Sequence, residues 1–424
     1  MSGTVIVIGA GVVGTLTAFW LAERGFRVQV LEQRPGSALG TSYGNAGIVA
    51  LGHAEAWGSP NTPRHLMNAV LGRNPALKIS KPVDPSLWRW GSGFMRESTA
   101  ARYKFNSNQL LRLCEYSIEQ LRTVGDGEAI EHHRSDIGAL YLFRDPDLFR
   151  ARVNSIASDP DATRLLKVKT REQILAMDPA LASMGESLAG GVFSRRDISG
   201  DCRMFTQTLS DRLITSGRCE FRFGTTVRSF VPSDAGTVSV DTDQGLLAAD
   251  HVVLTAGFAS TALMAPLGIY LPIYPVKGYS MTFPILNGNR VPRYPGIDED
   301  HLVSYARYGD RLRVTSVAEF AGDDDSLVTS RLKTVADFAY AMCGDALDYE
   351  NVERWAGLRP ATPASSPYLG RVAAFSNLWV NAGHGQLGWS MSAGSGRLIA
   401  DAIAGEALEL SGVSSTADWL VPLG

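Results

Sequence analysis

The sequence contains little cysteine and little net charge. Four cysteines occur in 424 residues, none of them in a C-x-x-C pair, and the histidines do not stand at zinc-site spacing. We therefore expect reduced, buried thiols and no metal site. Lys and Arg number 40 against 43 Asp and Glu, which gives a net charge of −3. A chain without a basic surface is not expected to bind nucleic acid.

Long apolar runs are also scarce. One run, from Val5 to Ala22, is apolar enough to resemble a membrane span. No Lys or Arg precedes it, as a signal peptide would require. Gly9, Gly11 and Gly14 would each weaken a lipid-exposed helix by about 1 kcal/mol relative to Ala. We expect a cytoplasmic protein, and peripheral association with the inner membrane stays open.

The same run forms part of a complete β-α-β unit. A β-branched run at 4–8 predicts a strand buried on both faces, and G-x-G-x-x-G follows at 9–14. A helix at 15–24 and a strand at 27–31 come next, and the unit ends at Glu32. In such units the glycines allow a tight turn, close approach to a pyrophosphate and close helix packing, while the acid binds ribose hydroxyls. The unit therefore predicts dinucleotide binding at a helix N-terminus.

This unit does not distinguish NAD from FAD. Arg34 is a candidate partner for the 2′-phosphate of NADP, but Glu32 would repel that phosphate. A plain NAD domain would continue with another helix and strand, whereas this chain has the Gly/Ser/Asn loop T-S-Y-G-N-A-G at 41–47. Such loops present backbone N–H groups to a ligand, although a simple surface loop is the alternative.

Motifs spread over nearly the whole chain carry a resemblance to a known family. They are "TSYGNAG", "GDCRMFTQTL", "YPVKGYSMT", "WAGLRPATP" and "NLWVNAGHGQLGWSMSAGSG". With the N-terminal unit, they resemble the D-amino-acid oxidase/glycine oxidase superfamily of FAD enzymes, and most of all the small-subunit type of bacterial D-amino acid dehydrogenase.

The resemblance implies an extended, noncovalently bound FAD. Its adenosine end would lie on the first β-α-β unit, and the terminal G-H-G turn would direct a helix N-terminus at the flavin. A negatively charged reduced flavin is stabilised by that dipole. The predicted FAD contacts are Gly9, Gly11, Val12, Val13, Gly14, Glu32, Gln33, Arg34, Ser42, Asn45, Ala46, Gly47, Val227, Ala256, Gly257, Gly383, Gly385, Gln386 and Leu387.

The resemblance also implies a fold and its division. The fold class is α/β, in an α+β two-domain form, with a Rossmann-like FAD-binding domain interleaved with a mixed-sheet substrate domain. The length supports two domains, and no linker or internal repeat separates them. The predicted FAD-binding domain comprises 1–80, 195–262 and 352–424, and the predicted substrate domain comprises 81–194 and 263–351.

The substrate site is predicted around the G-L-R-P motif. Family members that oxidise amino acids bind the substrate carboxylate with the arginine of this motif, here Arg359, and a guanidinium suits bidentate pairing with a carboxylate. Tyr279 and Tyr305 are candidate hydrogen-bond donors to the substrate, or packing residues. His384 is predicted beside the flavin, either as a proton carrier or as a packed loop residue.

The predicted reaction is oxidative deamination of a D-amino or cyclic imino acid. Hydride passes from Cα to flavin N5, and the electrons then go to a quinone-type acceptor. The alternatives are a glycine/sarcosine-type or hydroxyproline-type oxidase that uses O₂, an NAD(P)-linked dehydrogenase, or a non-catalytic FAD-binding subunit of a larger complex. Hetero- or homo-oligomers stay open.

Two departures from the family pattern put its usual substrate in doubt. Thr315-Ser316 stand where the family has Gly-Gly, and Ala364 stands where it has Asp. We expect the first pair to crowd a position near the flavin and to leave the flavin fold intact.

Overall fold

The structure, a computed structural model, describes residues 3–70 and 76–407. The strands, numbered along the chain, are β1 (Thr4–Ile8), β2 (Arg27–Glu32), β3 (Ile48–Val49), β4 (Leu77–Ile79), β5 (Ala139–Phe143), β6 (Leu166–Lys169), β7 (Gly190–Ser194), β8 (Ile198–Ser199), β9 (Cys219–Phe223), β10 (Val227–Pro232), β11 (Val238–Thr242), β12 (Gly245–Leu247), β13 (His251–Leu254), β14 (Tyr274–Pro284), β15 (Gly296–Asp298), β16 (Val303–Tyr308), β17 (Arg311–Phe320), β18 (Glu353–Ala361), β19 (Tyr368–Arg371) and β20 (Leu378–Ala382).

Helices connect and cover these strands. They are α1 (Val12–Glu23), α2 (Thr62–Val70), α3 (Pro85–Glu97), α4 (Ala100–Gly127), α5 (Pro146–Ala157), α6 (Pro160–Leu165), α7 (Arg171–Met177), α8 (Cys202–Thr215), α9 (Ser260–Met264), α10 (Thr329–Cys343) and α11 (Gly388–Ala404). Among the described residues, no helix is both long and apolar enough to cross a membrane.

The first large sheet has the strand order β19-β20-β13-β1-β2-β9. Its strands run parallel except β19, which pairs antiparallel with β20. Strand β1 lies inside the sheet, and its residues from Val5 to Ile8 are buried, as the continuous β-branched run predicts. Helices α1, α4, α8 and α11 contribute to the core on one face of this sheet.

The second large sheet has the order β18-β14-β17-β16-β15-β5-β7-β6, and β4 pairs with β17. Most of its pairs are antiparallel, while β15 runs parallel to β5, so the sheet is mixed. Helix α10 packs against one face and completes a second core. The predicted Rossmann-like and mixed-sheet halves are both present, and the chain passes between them several times.

Sheet membership differs from the predicted domain ranges in three places. Strands β4 and β18 pair within the mixed sheet, although both were assigned to the FAD-binding domain. Helix α4, assigned to the substrate domain, packs instead into the core beneath α1 and α11. Pairing partners distant in the chain decide these memberships, so local patterns do not reveal them. The end of the predicted range 352–424, from 408 onward, lies outside the described residues.

Candidate active site

A cavity of about 990 Å³ is lined by residues from both large sheets. Volumes near this size are typical of sites for large ligands. The predicted site residues that line it are Gly9, Gly11, Val12, Val13, Glu32, Gln33, Arg34, Ser42, Asn45, Ala46, Val227, Ala256, Gly257, Tyr279, Arg359, His384, Gly385, Gln386 and Leu387.

At one end of the cavity, the turn between β1 and α1 is fixed by Glu32. Its two carboxylate oxygens accept hydrogen bonds from the backbone N–H of Ala10, at 2.8 Å, and of Arg34, at 2.9 Å. The hydroxyl of Ser42 accepts the N–H of Val12, at 3.1 Å, within the first turn of α1. These bonds hold the helix N-terminus and an acid side by side, which is the arrangement that binds a pyrophosphate and its neighbouring ribose.

Three predicted contact glycines do not line the cavity and serve packing instead. A Cβ on Gly14 would lie 1.9 Å from the carbonyl oxygen of Gly9, which is the close helix packing expected of the third motif glycine. A Cβ on Gly47 would lie 1.7 Å from the hydroxyl of Tyr308. A Cβ on Gly383 would lie 2.5 Å from the side chain of Thr362.

The loop at 41–47 is held against the mixed sheet. The Thr41 hydroxyl donates to the carbonyl of Leu358, at 2.8 Å. Arg313, which is buried, donates to the carbonyls of Tyr43 and Asn45, at 3.3 and 3.2 Å. The loop is therefore an ordered wall of the cavity, and the alternative of a simple surface loop is wrong.

The N-terminal end of α11 also lines the cavity, through Gly388 and through Gly385 in the turn just before the helix. His384 precedes this end, is 3% exposed, and lies with Nε2 3.0 Å from the Ser395 hydroxyl. Burial lowers the pKa of His384 to about 3. With that pKa the ring is neutral at physiological pH and adds an uncharged polar group to the cavity wall.

Arg359 presents an unpaired cation to the cavity. No carboxylate among the described residues lies within 4.0 Å of its guanidinium, and burial lowers its pKa to about 10. One Nη1–H donates to the carbonyl of Val317, at 2.9 Å. The guanidinium lies over Gly278, where an added Cβ would come within 2.3 Å of Nη2. A buried cation with free donors is a site for an anion.

The carbonyl that holds Arg359 belongs to a strained residue. Val317 has a φ of +70°, which is unfavourable for a β-branched side chain. The strain coincides with a β-bulge in β17, where the pairing with β14 changes register between Lys277 and Tyr279. Such outliers concentrate at functional sites because the surrounding structure must support them.

The two predicted tyrosines differ in position. Tyr279 lines the cavity, but its hydroxyl lies 2.6 Å from the Glu319 carboxylate and donates to it, so it can only accept from a ligand. Tyr305 does not line the cavity. It is fully buried in the core beside α10, and its hydroxyl has no hydrogen-bond partner among the described residues.

Of the positions that depart from the family pattern, two line the cavity and one does not. Thr315 and Ser316 are buried and line the cavity, and the Ser316 hydroxyl donates to the carbonyl of Leu302, at 3.2 Å. Ala364 does not line it. The pair therefore narrows the ligand space, as expected from side chains in place of Gly-Gly.

Some cavity residues were missed by sequence reasoning, including His53 and Glu55. A signal was present, because two polar residues interrupt the otherwise apolar and small stretch "AGIVALGHAEAWG". Two carboxylates after β17, Asp323 and Asp325, also line the cavity.

The cysteines match expectation. All four are free and buried, and none lines the cavity. Burial raises the pKa of each thiol, to about 12 for Cys219 and Cys343. Across residues 3–70 and 76–407, no group of His, Cys, Asp or Glu is arranged to bind a metal ion.

Comparison with known proteins gives concordant results. Residues 4–402 match the family of FAD dependent oxidoreductases known as DAO. The chain is 36% identical over 414 residues to a D-amino acid dehydrogenase of Bradyrhizobium diazoefficiens, which covers 98% of each chain. Its fold resembles L-proline dehydrogenase from P. horikoshii, with a TM-score of 0.73, 17% identity, and 96% and 94% of the two chains covered. Glycine oxidase from Bacillus cereus gives a TM-score of 0.69, 20% identity, and 95% coverage of both chains.

The cavity fits the cofactor of that family. Gly257 and Gly385 line it with φ of +59° and +53°, and a Cβ on either would meet open space, so backbone is exposed directly to a ligand. Glu32 adds a carboxylate at the turn before α1, so backbone and an acid line the same cavity. The chain belongs to the family of FAD-dependent oxidoreductases.

Proposed function

We propose that this chain is a D-amino acid dehydrogenase that binds its substrate by the carboxylate. The observation that carries the proposal is the unpaired guanidinium of Arg359 on the cavity wall. The curated relatives at 36% identity named D-amino acid dehydrogenase support this substrate class. Bound FAD supplies the acceptor for the hydride that leaves Cα.

The residues of the chain then have positioning roles. Arg359 binds the carboxylate in two hydrogen bonds, and the carbonyl of Val317 fixes the guanidinium in one orientation. Holding Cα in one place is the main requirement of hydride transfer. His384 is neutral and the hydroxyl proton of Tyr279 is committed to Glu319, so neither donates a proton to the substrate. The amine therefore enters the reaction deprotonated.

The test is anaerobic reduction of the bound, noncovalent flavin. The visible flavin band should bleach with D-amino acids, and much more slowly with their L-enantiomers. If the band bleaches only with glycine, sarcosine or a cyclic imino acid, and not with D-amino acids, the proposed substrate class is wrong. A flavin that no amine reduces would instead indicate a non-catalytic subunit.

We also propose that the electrons pass to a membrane quinone. Exposed apolar side chains occur on and just before α3: Val83 is 87%, Trp88 67% and Met95 40% exposed, and the exposed Lys81 and Arg96 stand beside them in sequence. Such a mixture favours the surface of an anionic bilayer. Substrate-reduced enzyme should reduce a soluble quinone analogue faster than O₂, and should sediment with anionic vesicles.

A further inference from the structure

A second polar cluster lies on the cavity wall, away from Arg359. His53 and Glu55 line the cavity, whereas their ion-pair partners, Glu299 and Arg152, do not. Nδ1 of His53 lies 3.2 Å from the Glu299 carboxylate, and Glu55 accepts the Tyr103 hydroxyl at 2.8 Å and pairs with Arg152. The proposed amine oxidation uses none of these groups.

Two hydrogen-bond acceptors of this cluster are available to a ligand. Above the pKa of His53 the ring is neutral; with Nδ1–H donated to Glu299 it then presents Nε2 as an acceptor, and Nε2 has no partner within the described part of the chain. The Glu55 side chain is 37% exposed and lines the cavity. An acceptor pair that includes a carboxylate binds a donor-rich cation, such as an ammonium or guanidinium group.

The order of strands in the mixed sheet gives the separation of this cluster from Arg359. The guanidinium is tethered to Val317 on β17, and His53 stacks on Tyr141 of β5, with ring centroids 6.0 Å apart. Strands β16 and β15 lie between, and Ser304 and Ile297 from these strands line the same cavity. Three strand spacings of about 4.8 Å put β17 and β5 about 14 Å apart across the sheet. Val317 also lies two residues further along its strand than Thr315, which is the residue level with Tyr141.

A separation of this order requires an amino acid with a long side chain if one ligand is to contact both positions. An extended lysine measures about 7.5 Å from its carboxylate carbon to Nζ, and a hydrogen bond of about 2.8 Å at each end extends its reach to about 13 Å. A short substrate such as alanine would contact only the Arg359 end.

We propose that His53 and Glu55 form a side-chain subsite that selects amino acids with long cationic side chains, such as lysine and arginine. The proposal rests on the proposed function, because it assumes that Arg359 binds the substrate carboxylate. His53 and Glu55 are specificity-determining residues here and take no part in hydride transfer.

The cluster also makes the selection dependent on pH. Burial lowers the pKa of His53, but the carboxylates of Glu299 and Glu55 raise it by more, against an opposing contribution from Arg152, so that the net shift is upward. Below that pKa the imidazolium repels a cation, and above it Nε2 accepts a hydrogen bond. Tyr141, beneath the ring, stays protonated because burial and Asp197 raise its pKa. Preference for cationic side chains should therefore rise with pH.

A binding experiment tests the subsite independently of turnover. The probe is 6-aminohexanoate, which has the carboxylate-to-ammonium length of lysine but no α-amine, with hexanoate as the reference. Dissociation constants are measured from the change in the flavin spectrum of the oxidised holoenzyme. The aminated acid should bind at least about tenfold more tightly. Equal binding of the two acids would overturn the proposal.

Variants then assign the preference to residues. Glu55→Gln should abolish the preference for 6-aminohexanoate while leaving hexanoate binding within about twofold. Glu119→Gln removes another arginine-paired carboxylate, one that does not line the cavity, and should leave the preference intact. If Glu55→Gln does not fold, His53→Gln should reduce the preference and remove its rise with pH. Retention of both in that variant would overturn the proposal.

Turnover separates failure of the subsite from failure of the proposed function. In the wild-type enzyme, kcat/KM for D-lysine should exceed that for D-norleucine, which has a similar length but no charge. If D-norleucine is oxidised as well as D-lysine and the two acids bind equally, the subsite is wrong and the function stands. If no amino acid reduces the flavin while 6-aminohexanoate still binds preferentially, the function is wrong.

Discussion

The two ends of the cavity are built in opposite ways. At the nucleotide end, Glu32 belongs to the same β-α-β unit as the turn that it braces, and its carboxylate accepts from the N–H groups of Ala10 and Arg34. At the substrate end, Arg359 is oriented by Gly278 and Val317, from two other strands. A cofactor site built from one sequence segment can be inherited as a unit. A substrate site built from several strands can change at one strand without altering the others. The comparison explains how one cofactor fold can accept different substrates.

Removal of Arg359 should have the largest effect, and it should be confined to the substrate end. Arg359→Ala removes the carboxylate partner, and loss of one member of a buried ion pair costs about 3–5 kcal/mol, or two to four orders of magnitude in kcat/KM. The flavin content should be unchanged. Arg354→Ala, an exposed arginine on the same strand, is the matched control. Near-wild-type kcat/KM in Arg359→Ala would refute the carboxylate anchor.

A methyl group at Gly14 should damage the nucleotide end first. Its Cβ would overlap the Gly9 carbonyl oxygen, a backbone atom that cannot move without displacing the turn. Overpacking of this kind costs about 1–3 kcal/mol. We expect Gly14→Ala to purify with less FAD and to unfold at a lower temperature. Gly91→Ala in α3 meets no neighbouring atom within 4 Å and should behave as the wild type or be slightly more stable.

Loss of the Glu32 carboxylate should weaken cofactor binding without a change in substrate preference. Glu32→Ala removes two charge-assisted hydrogen bonds to backbone N–H groups, each worth about 1.5–3 kcal/mol. The dissociation constant for FAD should rise tenfold or more, measured by fluorescence of released flavin. Glu23→Ala, at the exposed end of α1, should bind FAD normally. Unchanged affinity in Glu32→Ala would mean that the turn does not depend on this carboxylate.

Substitution of His384 should have the smallest effect: little change in the free energy of unfolding at neutral pH and a measurable change in acid. Its pKa is about 3 in the folded chain against an ordinary value of 6.5, so the unfolded chain binds the extra proton between these values. The free energy of unfolding should therefore fall as pH drops from about 6.5 towards 3. The contribution of this residue is about 1.4 kcal/mol per pH unit. In His384→Gln the slope should be smaller by that amount, and equal slopes would show that the ring is not buried as a neutral group.

The two ends also differ in how far the sequence could predict them. The β1–α1–β2 unit, Glu32 and the loop at 41–47 were predicted as a continuous pattern. Arg359 was predicted only through a family motif. Neither Val317 nor His53 was predicted, because a bulge and a pairing order are properties of the folded sheet and not of a local pattern. Tyr279 and Tyr305 carry the same strand signal, and only the fold places one in the cavity wall and the other in the core.

Arg313 connects the mixed sheet to the loop at 41–47. Its guanidinium lies in the mixed sheet but holds the Tyr43 and Asn45 carbonyls of the loop that follows the nucleotide unit. The shape of that loop therefore depends on a donor from β17, so a substitution in the mixed sheet can loosen the wall of the cavity beside the nucleotide-binding unit.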